Sequence, residues 1–202
     1  AWRLYIIPSS ELVATVTNLP EGFRLAGTMA SEALRIAAGR PRQLLDTDDR
    51  SIPHELDWLR TAVHINKGCY KGQETVARVH NLGHPPRRLV GLLIDGSVHG
   101  LPEAGADIIL RPETEDTEAM ASARAIGTLK SVAMHHEMGA IGTAIIRRNT
   151  DPEAPLIIRE NPPEDADDAA PNFTAASQVT LTSPAAGKVV GRVQGLKDLR
   201  RR

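Results

Sequence analysis

Pro85-Pro86-Arg87-Arg88-Leu89-Val90-Gly91-Leu92-Leu93-Ile94-Asp95-Gly96 divides the chain into two textures. Two consecutive prolines break any helix that reaches them. A continuous apolar run from Leu89 to Ile94 follows and ends in the turn pair Asp95-Gly96. Short β-prone runs recur beyond it, at Asp107–Leu110, Ala125–Lys130, Ala140–Arg147, Leu156–Arg159, Ser177–Leu181 and Lys188–Val193. Six or seven short strands with irregular links predict a small barrel or sandwich, and no convincing amphipathic helix follows residue 86. Two stretches between them, 111–123 and the acidic 162–170, read as mobile loops. Arg200-Arg201-Arg202 reads as a flexible tail. The boundary is placed at residue 86, with an α+β region over 1–86 and an antiparallel β-barrel over 87–202.

Upstream of the prolines the periodicity is helical. Arg3–Ile7 is short and β-prone, and Pro8-Ser9-Ser10 then offers a turn and a hydroxyl cap. Leu12, Val13, Val16 and Leu19 recur at helical spacing. A second helix is expected from about Thr28 to Ala38, with Met29, Ala33, Leu34 and Ala37 as its apolar positions and Gly39 as its left-handed stop. Residues 42–52 read as a polar loop. Pro53 can open a helix carrying Leu56, Leu59 and Val63. Gln73 to Asn81 reads as a short helix stopped by Gly83.

Composition narrows the function classes. The 202 residues carry 24 Lys+Arg against 25 Asp+Glu, so general affinity for nucleic acid is disfavoured. Aromatic residues are 3%, too few for an ordinary base-stacking surface. No apolar run approaches a membrane span, and no signal peptide opens the sequence. A single cysteine, Cys69, excludes an internal disulfide and fits a reducing, cytoplasmic setting.

The densest chemistry lies in Lys67-Gly68-Cys69-Tyr70-Lys71-Gly72-Gln73-Glu74. Two glycines bracket the thiol and let the backbone turn sharply and approach a ligand. The thiol precedes a helix start and has two lysines nearby, both of which favour thiolate over thiol. The competing reading is a small buried residue in a turn. His80 and His84 have a spacing found in zinc sites, with His64 upstream, but the thiolates that structural zinc normally uses are missing, and no metal site is assigned. His135-His136 reads as part of a loop. Arg87-Arg88 could grip a carboxylate or phosphate, or form a charged strand edge. The phosphate-loop, dinucleotide and nucleophile-elbow templates are all absent.

The eight-residue stretch 67–74 resembles the K-G-C-Y-x-G-Q-E signature of the YgfZ-type folate-binding proteins, a group similar to the glycine-cleavage T-protein, an aminomethyltransferase. Ala33–Pro41 resembles the upstream L-R-I-x-A-G-x-P element, and Pro53-His54-Glu55 the P-H-E that follows it. Thr75–Arg78, Asn81–Arg88, Ile126–Ser131 and Glu137–Gly142 continue the resemblance in register. It implies two intertwined α+β folate-binding domains, here present only in part, followed by a C-terminal β-barrel around a folate-sized opening. The chain is then expected to start about halfway through such a protein, without the part that carries the transferase's catalytic acidic residue.

The resemblance further implies a tetrahydrofolate-binding accessory protein supporting iron–sulfur cluster assembly or repair. Cys69 is its essential thiol, and its partners are iron–sulfur enzymes or their assembly machinery. One thiolate cannot hold a four-cysteine cluster, which favours an accessory role. Candidate folate contacts are Arg35, Lys67, Tyr70, Gln73 and Glu74. Arg35 could pair with a folate carboxylate or form an internal salt bridge. Glu74 could accept from the pterin or support its own helix start. The alternatives are a folate-dependent aminomethyltransferase and a non-catalytic interaction module, and a link to tRNA modification stays open.

Overall fold

The computed structural model describes Arg3 and residues 5–97, 100–113, 116–162 and 170–186. Strands β1 (Arg87–Ile94), β2 (Asp107–Leu110), β3 (Gly127–His135), β4 (Gly139–Arg147), β5 (Leu156–Glu160) and β6 (Asn172–Thr180) close into an antiparallel barrel. The order around it is β1-β4-β3-β2-β5-β6, with β6 pairing back onto β1. β1 runs in register with β4 from Arg87 opposite Arg147 to Leu93 opposite Ile141.

Side chains alternate across a strand, so one set fills the barrel. Val90, Leu92 and Ile94 of β1 meet Ile108, Leu129, Ala144, Ile146, Leu156 and Ile158 there. Each fully buried branched side chain contributes about 1.5–3 kcal/mol relative to exposure. The other face of β4 is also covered. Ile141 packs against Ala33, Ile36 and Ala133, and Ile145 against Leu56 and Leu89. Burial on both faces is why Gly139–Arg147 is almost uninterruptedly apolar. Gly127 permits a close approach of β3 to β4, where a Cβ would collide with the Ile145 carbonyl oxygen.

The covering elements come from the first 82 residues. They are a 3-10 turn at Ser9–Glu11, α1 (Leu12–Thr17), α2 (Thr28–Ala37), a 3-10 turn at Pro53–Leu56, α3 (Trp58–Thr61) and α4 (Gln73–Leu82). Among the described residues, no helix is long and apolar enough to cross a membrane. Gly39 ends α2 with φ +59°, as its place after the last periodic residue predicts.

The chain departs from the sequence reading at several places. Arg3–Ile7 forms no strand in its described residues, and Tyr5 and Ile6 are exposed with no neighbour to complete a ladder. The helix expected from Pro53 breaks at Asp57, whose φ of +57° is left-handed. α2 buries Ala33, Arg35 and Ile36, while Met29 and Leu34 stay 77% and 49% exposed. An ion pair, described below, turns that face of α2 toward the barrel. A short helix, α5 (Thr117–Ser122), lies in the stretch read as a loop, and the Asp116 carboxylate accepts the Glu118 N–H at its start. β3 and β6 begin or end several residues from the expected bounds. The expected strand at Lys188–Val193, most of the acidic stretch and the arginine tail lie outside the described residues.

Candidate functional site

The loop before α4 forms one wall of a cleft of about 620 Å³. Lys67, Tyr70, Lys71 and Gly72 line it from that side, and Thr75 and Val76 extend the wall along the helix. Val63 and residues 49–53 complete the lining. The local fold follows from glycine: Gly72 takes φ +81° and caps α4 without a side chain, and Gln73 N–H donates to the Tyr70 carbonyl. The Lys67 ammonium sits 5.4 Å from the centre of the Tyr70 ring, within cation–π range. The Tyr70 hydroxyl is buried without a hydrogen-bond partner.

Of the expected site residues, Lys67 and Tyr70 meet in the cleft. Cys69 is a free, exposed thiol on the same loop, outside the cleft lining. The buried-turn alternative for it is thereby excluded. Gln73 is half-buried and Glu74 exposed, both in the first turn of α4 and outside the lining. Asp49 and Arg50 join the cleft from a loop that carried no distinguishing signal in the sequence.

Arg35 lies elsewhere and faces inward. Its Nε donates to Glu32 at 3.0 Å, and its Nη1 donates to the Arg40 carbonyl and to Asp46, both at 2.8 Å. Its Nη2 donates to Ser131 Oγ at 2.9 Å and lies 2.9 Å from Glu32. A guanidinium has five N–H groups, and four of them donate within the protein. The internal salt bridge read as one alternative for Arg35 is thus formed. Its partner Asp46 is fully buried and also accepts from Arg42 N–H, Ser131 Oγ and Thr143 Oγ1. This knot fastens α2 and the following loop to β3 and β4.

Arg87 and Arg88 also prove internal. Arg87 donates to both Asp48 and Glu55, which holds the Asp48 carboxyl far below its ordinary range. Arg88 points into the barrel end, where it donates to the Thr150 carbonyl and to Gln178. Burial lowers its pKa. His135 is the last residue of β3 rather than a loop residue, and its Nδ1 accepts from the Glu137 and Met138 amides.

His54 is 2% exposed with both ring nitrogens unpartnered, and its ring centre lies 6.1 Å from that of His80. Burial, then the neighbouring His80, push its pKa down. His84 approaches the Ala186 carbonyl instead of His80. Among the described residues no three His, Cys, Asp or Glu side chains gather to hold a metal. A second cleft of about 550 Å³, lined by Arg40, Trp58, Arg60 and Leu181 among others, holds none of the expected site residues.

No family model matches the chain. It is 37% identical over 95 residues to a chloroplastic candidate transferase of Arabidopsis thaliana, a match covering 45% of this chain and 21% of that one. It is 34% identical over 113 residues to the tRNA-modifying protein YgfZ of Escherichia fergusonii, covering 55% of this chain and 34% of the relative. To the tRNA-modifying protein YgfZ of Shigella dysenteriae serotype 1 it is 40% identical over 80 residues, covering 39% and 24%. The matched segments thus span between about a fifth and a third of these curated relatives.

Proposed function

We propose that this chain is part of a tetrahydrofolate-binding accessory protein of the YgfZ type that supports iron–sulfur cluster assembly or repair, with Cys69 as its working thiol. One observation carries the reading: the Lys67–Glu74 loop exposes Cys69 while its neighbours Lys67 and Tyr70 line a ligand-sized cleft. A volume of about 620 Å³ falls within the range of small-molecule sites. The residues present suit part of a folate. The Tyr70 ring offers an apolar face, and Lys67 offers a cation for a carboxylate. Bound folate supplies one-carbon chemistry. The chain's own groups hold the ligand and present the thiol beside it.

The similarity to tRNA-modifying proteins supports a client pathway that ends in RNA modification, reached through iron–sulfur enzymes or their assembly machinery in the cytoplasm. The near balance of charge supports indirect action over a general nucleic-acid grip. Gln73 and Glu74 serve the start of α4 and reach the ligand only at the rim. The division at residue 86 belongs to the same proposal, with 1–86 carrying the site and 87–202 acting as the scaffold. The test is a complementation assay of the complete protein with Cys69→Ala, read as the activity of iron–sulfur enzymes in cells. A folded variant without that activity supports the reading. Unimpaired complementation overturns it and favours a non-catalytic interaction module.

A further inference from the structure

The folate reading uses Lys67 among the charges lining the cleft and leaves Arg50 and Lys71 without a role. Arg50, Lys67 and Lys71 face it, against the single carboxylate of Asp49. Two other carboxylates lie close in sequence to that wall, Asp48 and Glu55, and Arg87 takes both. Arg87 itself comes from β1, so the barrel removes the local counter-charge and leaves the cleft cations without it. None of the three cations has an ion-pair partner among the described residues. Lys67 is held over the Tyr70 ring instead. A concave wall with surplus positive charge concentrates anions.

Hydrogen-bonding capacity converges on the same place. Tyr70 belongs to the lining and carries the Lys67 ammonium over its ring. Thr75 adds a hydroxyl-bearing side chain to the lining. α4, ten residues long, begins at this wall with Gly72 and no side-chain cap, so the positive end of its dipole adds to the cations. Guanidinium, two ammonium groups and a hydroxyl suit an anion with several charged oxygens better than a single carboxylate.

We infer that the cleft between residues 49–53 and 67–76 binds a multiply charged oxyanion of the phosphate class, gripped by Arg50, Lys67 and Lys71. The inference shares the cleft and Lys67 with the folate reading but turns on Arg50 and Lys71, so failure of pyrophosphate to bind while tetrahydrofolate still binds sinks this inference alone. The test is calorimetric titration of the 202-residue chain with pyrophosphate at low ionic strength, with N-acetylglutamate as the carboxylate comparison. Arg50→Gln and Lys71→Gln alter exposed side chains, and unchanged circular dichroism verifies the fold. Each is expected to weaken pyrophosphate about tenfold, the loss of one charge-assisted contact. Arg24→Gln, an exposed cation outside the lining, is expected to change nothing. Absence of saturable binding overturns the inference, as does equal weakening by Arg24→Gln. Tighter binding of N-acetylglutamate than of pyrophosphate also overturns it and assigns the cleft to a carboxylate tail.

Discussion

Replacing Asp46 by Ala removes the acceptor on which the first segment's attachment to the barrel converges. The side chain is fully buried and accepts from Arg35 and Arg42 N–H at 2.8 Å, from Ser131 at 2.8 Å and from Thr143 at 2.5 Å. Breaking a buried ion pair from one side costs about 3–5 kcal/mol, because the remaining charge is left uncompensated. Glu32 still neutralises Arg35 from a partly exposed position, which places that loss at the lower end. The buried Ser131 and Thr143 hydroxyls lose an acceptor as well, at about 1 kcal/mol each. Such terms overlap, so about 4 kcal/mol is the expected total. That is a large part of an ordinary domain's stability of about 5–15 kcal/mol. Urea unfolding should show a lower midpoint with an unchanged slope. The double change Arg35→Met with Asp46→Leu should recover much of the loss, since it removes both charges together. A loss below about 1 kcal/mol for Asp46→Ala, or a double variant no better than the single, would refute the reasoning.

Three further outcomes follow from the packing. His54 has a pKa pushed below the ordinary imidazole value, so below about pH 6.5 the unfolded chain binds a proton that the folded chain resists. Stability should therefore fall with pH from there downward, and His54→Leu should reduce that slope by up to about 1.4 kcal/mol per pH unit in urea melts at pH 7.5 and 5.5. Gly127→Ala forces a Cβ against the Ile145 carbonyl and Ile146 Cα, so β3 and β4 must part at an expected cost of about 1–3 kcal/mol. Residues 87–202 produced alone should give a strand-dominated circular dichroism spectrum but a lower melting temperature, because Ile141, Ile145 and Thr143 lose their cover; a helix-rich spectrum would contradict the proposed division.

The barrel was legible because its strands carry their information locally. Leu89–Ile94 and Ala140–Arg147 are apolar runs bounded by turn residues, and they lie within β1 and β4. α2 and α4 were legible for a related reason, since Gly39 ends the first with left-handed backbone and Gly83 follows the last residue of the second. What escaped depends on partners far along the chain. The buried face of α2 is chosen by Arg35, whose acceptors include Asp46 and a Ser131 that is 96 residues away. For Arg87 and Arg88 the sequence left a carboxylate grip and a charged strand edge open, and strand alternation sends one to the carboxylates of Asp48 and Glu55 and the other to the Thr150 carbonyl and Gln178. α5 is short, and its one signal was Asp116 as a cap. In the candidate site, the loop around Cys69 announced itself by composition. Arg50 did not, because only the fold brings residues 49–53 into the same cleft lining.

The most direct measurement is the tetrahydrofolate dissociation constant of the complete protein, compared with a variant carrying Lys67→Ala and Tyr70→Phe. Both residues line the cleft, and neither belongs to the three buried apolar clusters that hold the fold together. The account predicts a loss of at least about tenfold, equivalent to one charge-assisted hydrogen bond, with the melting temperature of the free protein unchanged. Equal affinities would contradict it and place the ligand away from the Cys69 loop.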